Sequence, residues 1–303
     1  MNYLIKKSIN PFSVILPKKQ TSLCIFSSPH SGNIFPSDFL SSSKLSINQL
    51  RQSEDAYIDK LFFQCIESGS PLIKFNYPRS FVDVNREPYE LDKQMFEDSI
   101  PSFANFTSAK VALGLGTIPK IASNGNEIYK APLSWKIAED RIENFYFPYH
   151  AALKQLLVVT KSHFNSAILF DCHSMPSSNF NSNSRSINFG EADFIIGDGF
   201  GTTCLPSVIN LVEDVLTNLG YSVARNIPYS GGFTTLNYGR PEENCHALQI
   251  EISRKLYMDE KSLLPNRNFL KLKRNLGFFL NTVSKKATGD LLQNLGNKSI
   301  AAE

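Results

Sequence analysis

The chain is predicted to fold as a three-layer αβα domain around a mixed, mostly parallel sheet. Two observations carry that expectation. Short apolar, β-rich runs alternate with longer segments of helical period along most of the sequence. Several of the short runs end abruptly in polar, reactive residues, as strands do when they deliver side chains to loops at one edge of a sheet.

Leu23 to Ser27 reads as a buried strand ending at Pro29-His30. Glu54 to Glu67 reads as a helix, with Ile58, Leu61, Phe62, Cys65 and Ile66 on one face and Ser53 as its cap. Pro71 to Phe75 and Phe81 to Val84 read as strands. Trp135 to Ser162 is helical with Pro148 inside it, which predicts two helices or one kinked helix. Ala167 to Phe170 is a strand running into Asp171-Cys172-His173, and Ser174 to Asn188 is a Ser/Asn-rich loop. A short strand at Phe194 to Ile196 and a helix at Pro206 to Leu219, stopped by Gly220, follow. Tyr221 to Ala224 and Ala247 to Ile252 read as strands separated by a glycine-rich loop, Asn226 to Pro241. A basic helix from about Asn266 to Ser284 closes the fold. No repeat or long polar linker divides the chain, so the expected organisation is an extension at 1–22, one catalytic α/β domain at 23–287, and a flexible tail at 288–303.

At 303 residues the chain can fill a full hydrophobic core. Its 31 basic and 28 acidic side chains nearly cancel, which argues against a nucleic-acid or polybasic membrane surface. No apolar run approaches the length of roughly 20 residues that crosses a bilayer. The apolar stretch Phe12 to Leu16, broken at Pro17, is too short for a signal-peptide core. The expectation is a soluble, cytoplasmic protein. Five scattered cysteines with no CxxC fit reduced, buried thiols rather than a disulfide framework or a cysteine metal site.

Five segments concentrate reactive residues: Ser28-Pro29-His30-Ser31-Gly32, Glu54-Asp55, Asp83-Val84-Asn85-Arg86, Asp171-Cys172-His173-Ser174 and Gln249-Ile250-Glu251-Ile252-Ser253-Arg254. Each also has an ordinary structural reading: a hydrogen-bonded turn histidine, acids facing a helix dipole, a surface ion pair or a satisfied core histidine. Glu251 is harder to dismiss, because a glutamate between isoleucines late in a buried strand is costly unless paired or functional. Taken together the segments supply two imidazoles, a carboxylate ligand from Glu54 or Asp55, a free carboxylate base and an arginine suited to a substrate carboxylate. Catalytic zinc sites use three protein ligands and keep a fourth position for water. Asp171 is placed to orient the His173 imidazole. No GxSxG elbow or Walker A sequence is present, and Gly197-Asp198-Gly199-Phe200-Gly201 places its third glycine too early for a dinucleotide loop.

From about Cys24 to Glu260 the chain resembles N-formylglutamate amidohydrolases, within the wider group of zinc carboxypeptidase-like hydrolases. The resemblance runs through the five segments above and through Gly114 to Pro119, Arg141 with Pro148-Tyr149-His150, Pro228 to Gly232, Tyr238 to Pro241 and Leu256 to Glu260. It departs at Gly199, where the family carries a basic residue after the Gly-Asp pair. The resemblance implies a carboxypeptidase-like fold and one zinc ion, or another divalent metal, on His30, Asp55 and His173. It makes Glu251 the base and Arg86, beside Asn85, the anchor of an acidic N-acyl amino acid. Arg240 and Arg254 are expected to help hold the substrate, and Tyr229 to Asn237 to close over it about Gly231-Gly232. The implied reaction is hydrolysis of N-formyl-L-glutamate in histidine degradation. Another N-acyl amino acid, or a binding protein without turnover, are the other readings. His150 and His246 receive no role.

Overall fold

The computed structural model describes residues 10–122, 125–177 and 192–300. Its main sheet holds β1 (Phe12–Ile15), β2 (Cys24–Ser28), β3 (Leu72–Phe75), β4 (Ala167–Met175), β5 (Phe194–Gly197), β6 (Val223–Arg225) and β7 (Cys245–Ser253). Their spatial order is β1-β3-β2-β4-β7-β5-β6. The pairs β3–β2, β2–β4, β4–β7 and β5–β6 are parallel, while β1–β3 and β7–β5 are antiparallel. The sheet is therefore mixed and mostly parallel, as the alternation of elements requires. The edge strand β1 comes from the segment read as an extension ahead of the domain.

Helices α1 (Ser37–Ser42), α2 (Ile47–Arg51), α3 (Ile58–Phe62), α4 (Ala109–Ala112), α5 (Trp135–Arg141), α6 (Phe147–Phe164), α7 (Pro206–Asn218), α8 (Phe233–Tyr238) and α9 (Phe269–Ile300) surround it. One face of the sheet packs Phe26, Phe170, Leu248 and Ile250 against Leu61 of α3, Val212 of α7, and Leu276 and Leu280 of α9. The other face packs Ile25, Leu169 and Ala247 against Tyr149, Leu153 and Leu157 of α6. Three layers follow directly from strands that are apolar on both sides.

Alternation along β4 sets up the site. Ile168, Phe170 and Cys172 enter the α7–α9 core. Ala167 and Leu169 enter the α6 core, and Asp171 and His173 continue that same face toward the carboxyl end. All nine residues of β4 are buried, so these two polar side chains must find partners inside the protein.

Several segments depart from the sequence reading. Only Ile58–Phe62 of the helix expected over Glu54 to Glu67 is α-helical, followed by a 3₁₀ turn at Phe63–Ile66. Tertiary bonding outweighs helix propensity there: Asp55 N bonds the His30 carbonyl at 3.0 Å, and Tyr57 takes a left-handed φ of 68°. Residues 81–84 form a turn instead of a strand. The expected break near Pro148 becomes a π-helical turn, Ile142–Tyr146, joining α5 to α6. The glycine-rich segment at 226–241 contains α8. Strand β4 runs on through Met175, so His173 sits within a strand; most of the Ser/Asn-rich loop lies outside the described residues. Helix α9 begins at Phe269 and continues to Ile300. No helix among the described residues is long and apolar enough to cross a membrane. All five cysteines are free, with Cys245 half-buried and the rest buried.

Phe170 stacks on Phe26 at a centroid distance of 5.0 Å in the centre of the sheet. Phe170→Ala is expected to cost about 3–5 kcal/mol of stability, read as a lowered midpoint in urea unfolding at unchanged slope.

Candidate metal centre and active site

Because β2, β4 and β7 are parallel neighbours, their carboxyl ends share one edge. That edge carries His30 just after β2, His173 near the end of β4, and Glu251 opposite His173 on β7. Ligand atoms of His30, Asp55 and His173 all lie within 4.8 Å of one another, and all three residues are buried.

The hydrogen-bond pattern assigns the imidazoles. His30 Nε2 lies 2.7 Å from Asp83 Oδ1, and His173 Nε2 lies 2.8 Å from Asp171 Oδ2. Each Nε2 donates its proton to its carboxylate, so a neutral ring keeps its lone pair on Nδ1. Both Nδ1 atoms face Asp55 Oδ2, at 3.3 Å from His30 and 3.0 Å from His173. His30 Nδ1 is buried and makes no hydrogen bond. Three acceptors thus converge on one point, an arrangement that repels itself unless a cation sits there. The orphaned nitrogen and the fixed tautomers fit a divalent metal. Without one, His173 is held well above the ordinary imidazole range. Burial opposes its charge, but Asp171, Asp55 and Glu251 outweigh burial.

Glu54 and Asp55 point in different directions. Glu54 turns away and pairs with Arg51 Nε at 3.1 Å, whereas Asp55 points at the histidines. Arg254 holds Asp55 in place. Its guanidinium donates to the carbonyls of Gln52 and Glu54 (3.2 and 2.6 Å), to Ser174 Oγ and to Asp55 Oδ1 (both 3.2 Å). With most of its donors engaged inside the protein, Arg254 braces the Asp55 carboxylate. Arg240 stands apart from this group. It bonds the carbonyls of Leu236 and Gly239 and bridges to Cys245, at the amino end of β7. Six residues of strand separate Cys245 from Glu251, about 20 Å at roughly 3.3 Å per residue.

Asn85 likewise serves the scaffold. Its Nδ2 donates to Asp171 Oδ2 at 3.1 Å, and its Oδ1 accepts from Thr234 N at 2.8 Å. Gly232 is required there, since a Cβ would lie 2.6 Å from the Asn85 amide. Gly232 N also donates to Gln249 Oε1 at 2.6 Å, and Thr234 and Thr235 are fully buried. The segment at 229–237 is therefore anchored to the protein at Gly232 and Thr234. Tyr229 belongs to the same segment. Its phenol is pushed up to about 12 by burial and by the Glu251 and Asp55 charges.

Glu251 accepts a hydrogen bond from Gln249 Nε2 at 2.8 Å and is 7 % exposed. Burial pushes its carboxyl up to about 7; His173 opposes the shift and the Asp55 charge adds to it. A buried carboxyl in this position is placed to take and return a proton.

Arg86 keeps free N–H groups, although Nε donates to Leu115 O and Nη1 to Asn85 O (both 2.8 Å). Arg79 went unnoticed in the sequence. It donates from Nη2 to Asp83 Oδ2 at 2.8 Å, and its side chain remains 25 % exposed. Its signal was its position four residues before Asp83, in the same polar segment.

The 81–86 turn is pinned by one helical rod. Arg141 Nη1 donates to Phe81 O (3.1 Å), Tyr146 OH to Arg86 O (2.6 Å) and His150 Nε2 to Val84 O (2.8 Å). The π turn at Ile142–Tyr146 lies between Arg141 and His150, and the rod that carries them meets the carbonyls of residues 81, 84 and 86. His150 is thus structural, lowered to about 4 by burial. His246, also lowered to about 4 by burial, lies at the far end of β7 with neither ring nitrogen hydrogen-bonded among the described residues.

A layered α/β sheet that presents two imidazoles and a carboxylate around one point, with a glutamate beside them, defines an amidohydrolase-type site able to hold a metal ion. The chain belongs to the N-formylglutamate amidohydrolase family, whose model matches residues 22–258. The crystal structure of N-formylglutamate amidohydrolase from Ralstonia eutropha JMP134 superposes with a TM-score of 0.86 at 33% identity, covering 92% of this chain and 98% of that one. N-formylglutamate deformylase of Pseudomonas aeruginosa is 29% identical over 213 residues, 69% of this chain and 72% of that protein. The deformylase of Pseudomonas putida is 26% identical over 240 residues, 78% and 82% of the two chains.

Tyr146→Phe leaves the buried Arg86 carbonyl without its donor. The expected loss is about 1–3 kcal/mol in urea unfolding.

Proposed function

We propose that this chain hydrolyses N-formyl-L-glutamate to formate and L-glutamate with the help of one zinc ion. The observation that carries the reading is the pairing of the His30, Asp55, His173 group with the neighbouring Glu251 carboxyl, which burial brings to about 7. The relatives named N-formylglutamate deformylase supply the substrate, and a place in histidine degradation follows from that substrate.

His30, Asp55 and His173 would hold the metal, with Asp83 and Asp171 fixing the rings that bear it. A bound divalent cation polarises a carbonyl and acidifies water at neutral pH. Glu251 takes a proton from the attacking water as its oxygen bonds the formyl carbon. The same carboxyl then delivers that proton to the departing nitrogen as the carbon–nitrogen bond breaks. Arg86 holds the α-carboxylate through its free N–H groups. Tyr229, whose phenol feels the Glu251 charge, would border the reacting amide.

Formate release measured with N-formyl-L-glutamate tests the reaction. Glu251→Gln is expected to lower kcat by about two to four orders of magnitude while elemental analysis still finds one metal per chain. Unchanged turnover in that variant removes the mechanism. The double variant His30→Ala, His173→Ala is expected to purify without stoichiometric metal and to be inactive; full metal occupancy there excludes the proposed site.

A further inference from the structure

Strand β7 repeats a device seen on β4. In their parallel register Asp171 stands opposite Gln249 and His173 opposite Glu251. Side chains two apart on a strand share a face, so each strand carries a polar pair toward the same edge. On β4 the first member braces the second, His173 Nε2 lying 2.8 Å from Asp171 Oδ2. On β7 Gln249 Nε2 donates to Glu251 Oε1 at 2.8 Å. Among the described residues the Glu251 carboxyl makes no other hydrogen bond, so Oε2 is left open.

The Gln249 amide has only one workable orientation. Its Oε1 accepts from Gly232 N at 2.6 Å. A flip would set two donors together there and two acceptors together at Glu251. Gly232 is held in turn by its neighbours. Thr234 N donates to Asn85 Oδ1 at 2.8 Å, and Gly199 N to Ser230 O at 2.7 Å. A Cβ on Gly197 would lie 2.6 Å from the Ser230 carbonyl carbon, so this segment lies directly on the end of β5. Asn85 Nδ2 also donates to Asp171 Oδ2 at 3.1 Å. The carboxylate behind His173 and the amide behind Glu251 are therefore referenced to one short segment, 232–234. Asn85, Asp171, Gln249 and Glu251 are all buried. The last torsion of a glutamate is broad and roughly two-fold, so strand geometry alone leaves its carboxylate plane free to rotate.

We propose that Gln249 is a positioning residue for the hydrolysis, which holds Oε1 of Glu251 and so presents Oε2 to the water and to the departing nitrogen. It acts through Glu251 rather than on the substrate. An amide suits the task, because it supplies a donor for the carboxylate and an acceptor for Gly232 without adding a charge beside the base. This assignment rests on the N-formyl-L-glutamate reading above and deepens it.

The test is a double-mutant cycle on formate release from N-formyl-L-glutamate. Gln249→Met keeps the length of the side chain and loses both bonds. Its kcat is expected to fall about 10–100-fold, as for a misplaced catalytic group, with KM within about twofold of the wild type. In the Glu251→Gln background the same substitution is expected to lower the residual kcat by less than about twofold, because a residue acting through Glu251 has nothing left to position. An unchanged kcat in Gln249→Met overturns the assignment. So does an equal loss in both backgrounds, which marks a structural role, or a raised KM at unchanged kcat, which marks a substrate contact. If Gln249→Met fails to fold, Gln249→Ser, which leaves room for water at Gly232 N, takes its place in the cycle. If the wild type releases no formate, or Glu251→Gln turns over normally, the proposed function or its mechanism fails first and the Gln249 assignment falls with it.

Discussion

Two short hydrogen bonds govern the site: His30 Nε2 to Asp83 and His173 Nε2 to Asp171. Each fixes a tautomer and a ring orientation at once. With the protons committed outward, both Nδ1 lone pairs must face Asp55, and the buried cavity between them becomes a place for positive charge. Had either ring turned over, its proton would point inward and the convergence of three acceptors would be lost.

Burying those carboxylates is costly, and much of the surrounding structure offsets the cost. Arg79 and Arg86 flank Asp83, which sits well below the usual carboxylate range. Burial alone would raise it; the two arginines and His30 reverse the sign. Among the described residues Asp171 pairs with no arginine. It accepts instead from Asn85 Nδ2 and from Ser27 Oγ at 3.2 Å, and Ser27 Oγ is 2.8 Å from Tyr149 OH on α6. Asp55 depends on Arg254 and Ser174. Arg254 is in turn tied to Asp55 and to the carbonyls of Gln52 and Glu54.

Rigidity reaches the site from a distance through the α5–π–α6 rod. Arg141 lies over the Phe81 ring at 4.4 Å and bonds the Phe81 carbonyl, while Tyr146 and His150 capture the carbonyls of Arg86 and Val84. An 81–86 turn left to itself would expose these carbonyls inside the protein. Side chains do here what a neighbouring strand does elsewhere, and Asp83, Asn85 and Arg86 acquire fixed directions.

Much of this was legible in the amino-acid sequence. Apolar runs that end in polar residues located the strands and the layered fold, because burial on both faces of a sheet leaves a local, periodic trace. The same reasoning singled out His30, His173 and Glu251 at strand ends. Helix formation at Glu54 and strand formation at Phe81 were misread, since long-range hydrogen bonds from His30, Arg141, Tyr146 and His150 override local propensity. The roles of Arg254, Arg240, Asn85 and Arg79 were likewise illegible. A charged residue's type says what it can bind. Which partner lies within about 3 Å of it depends on strand order, register and the packing of segments far apart in the chain.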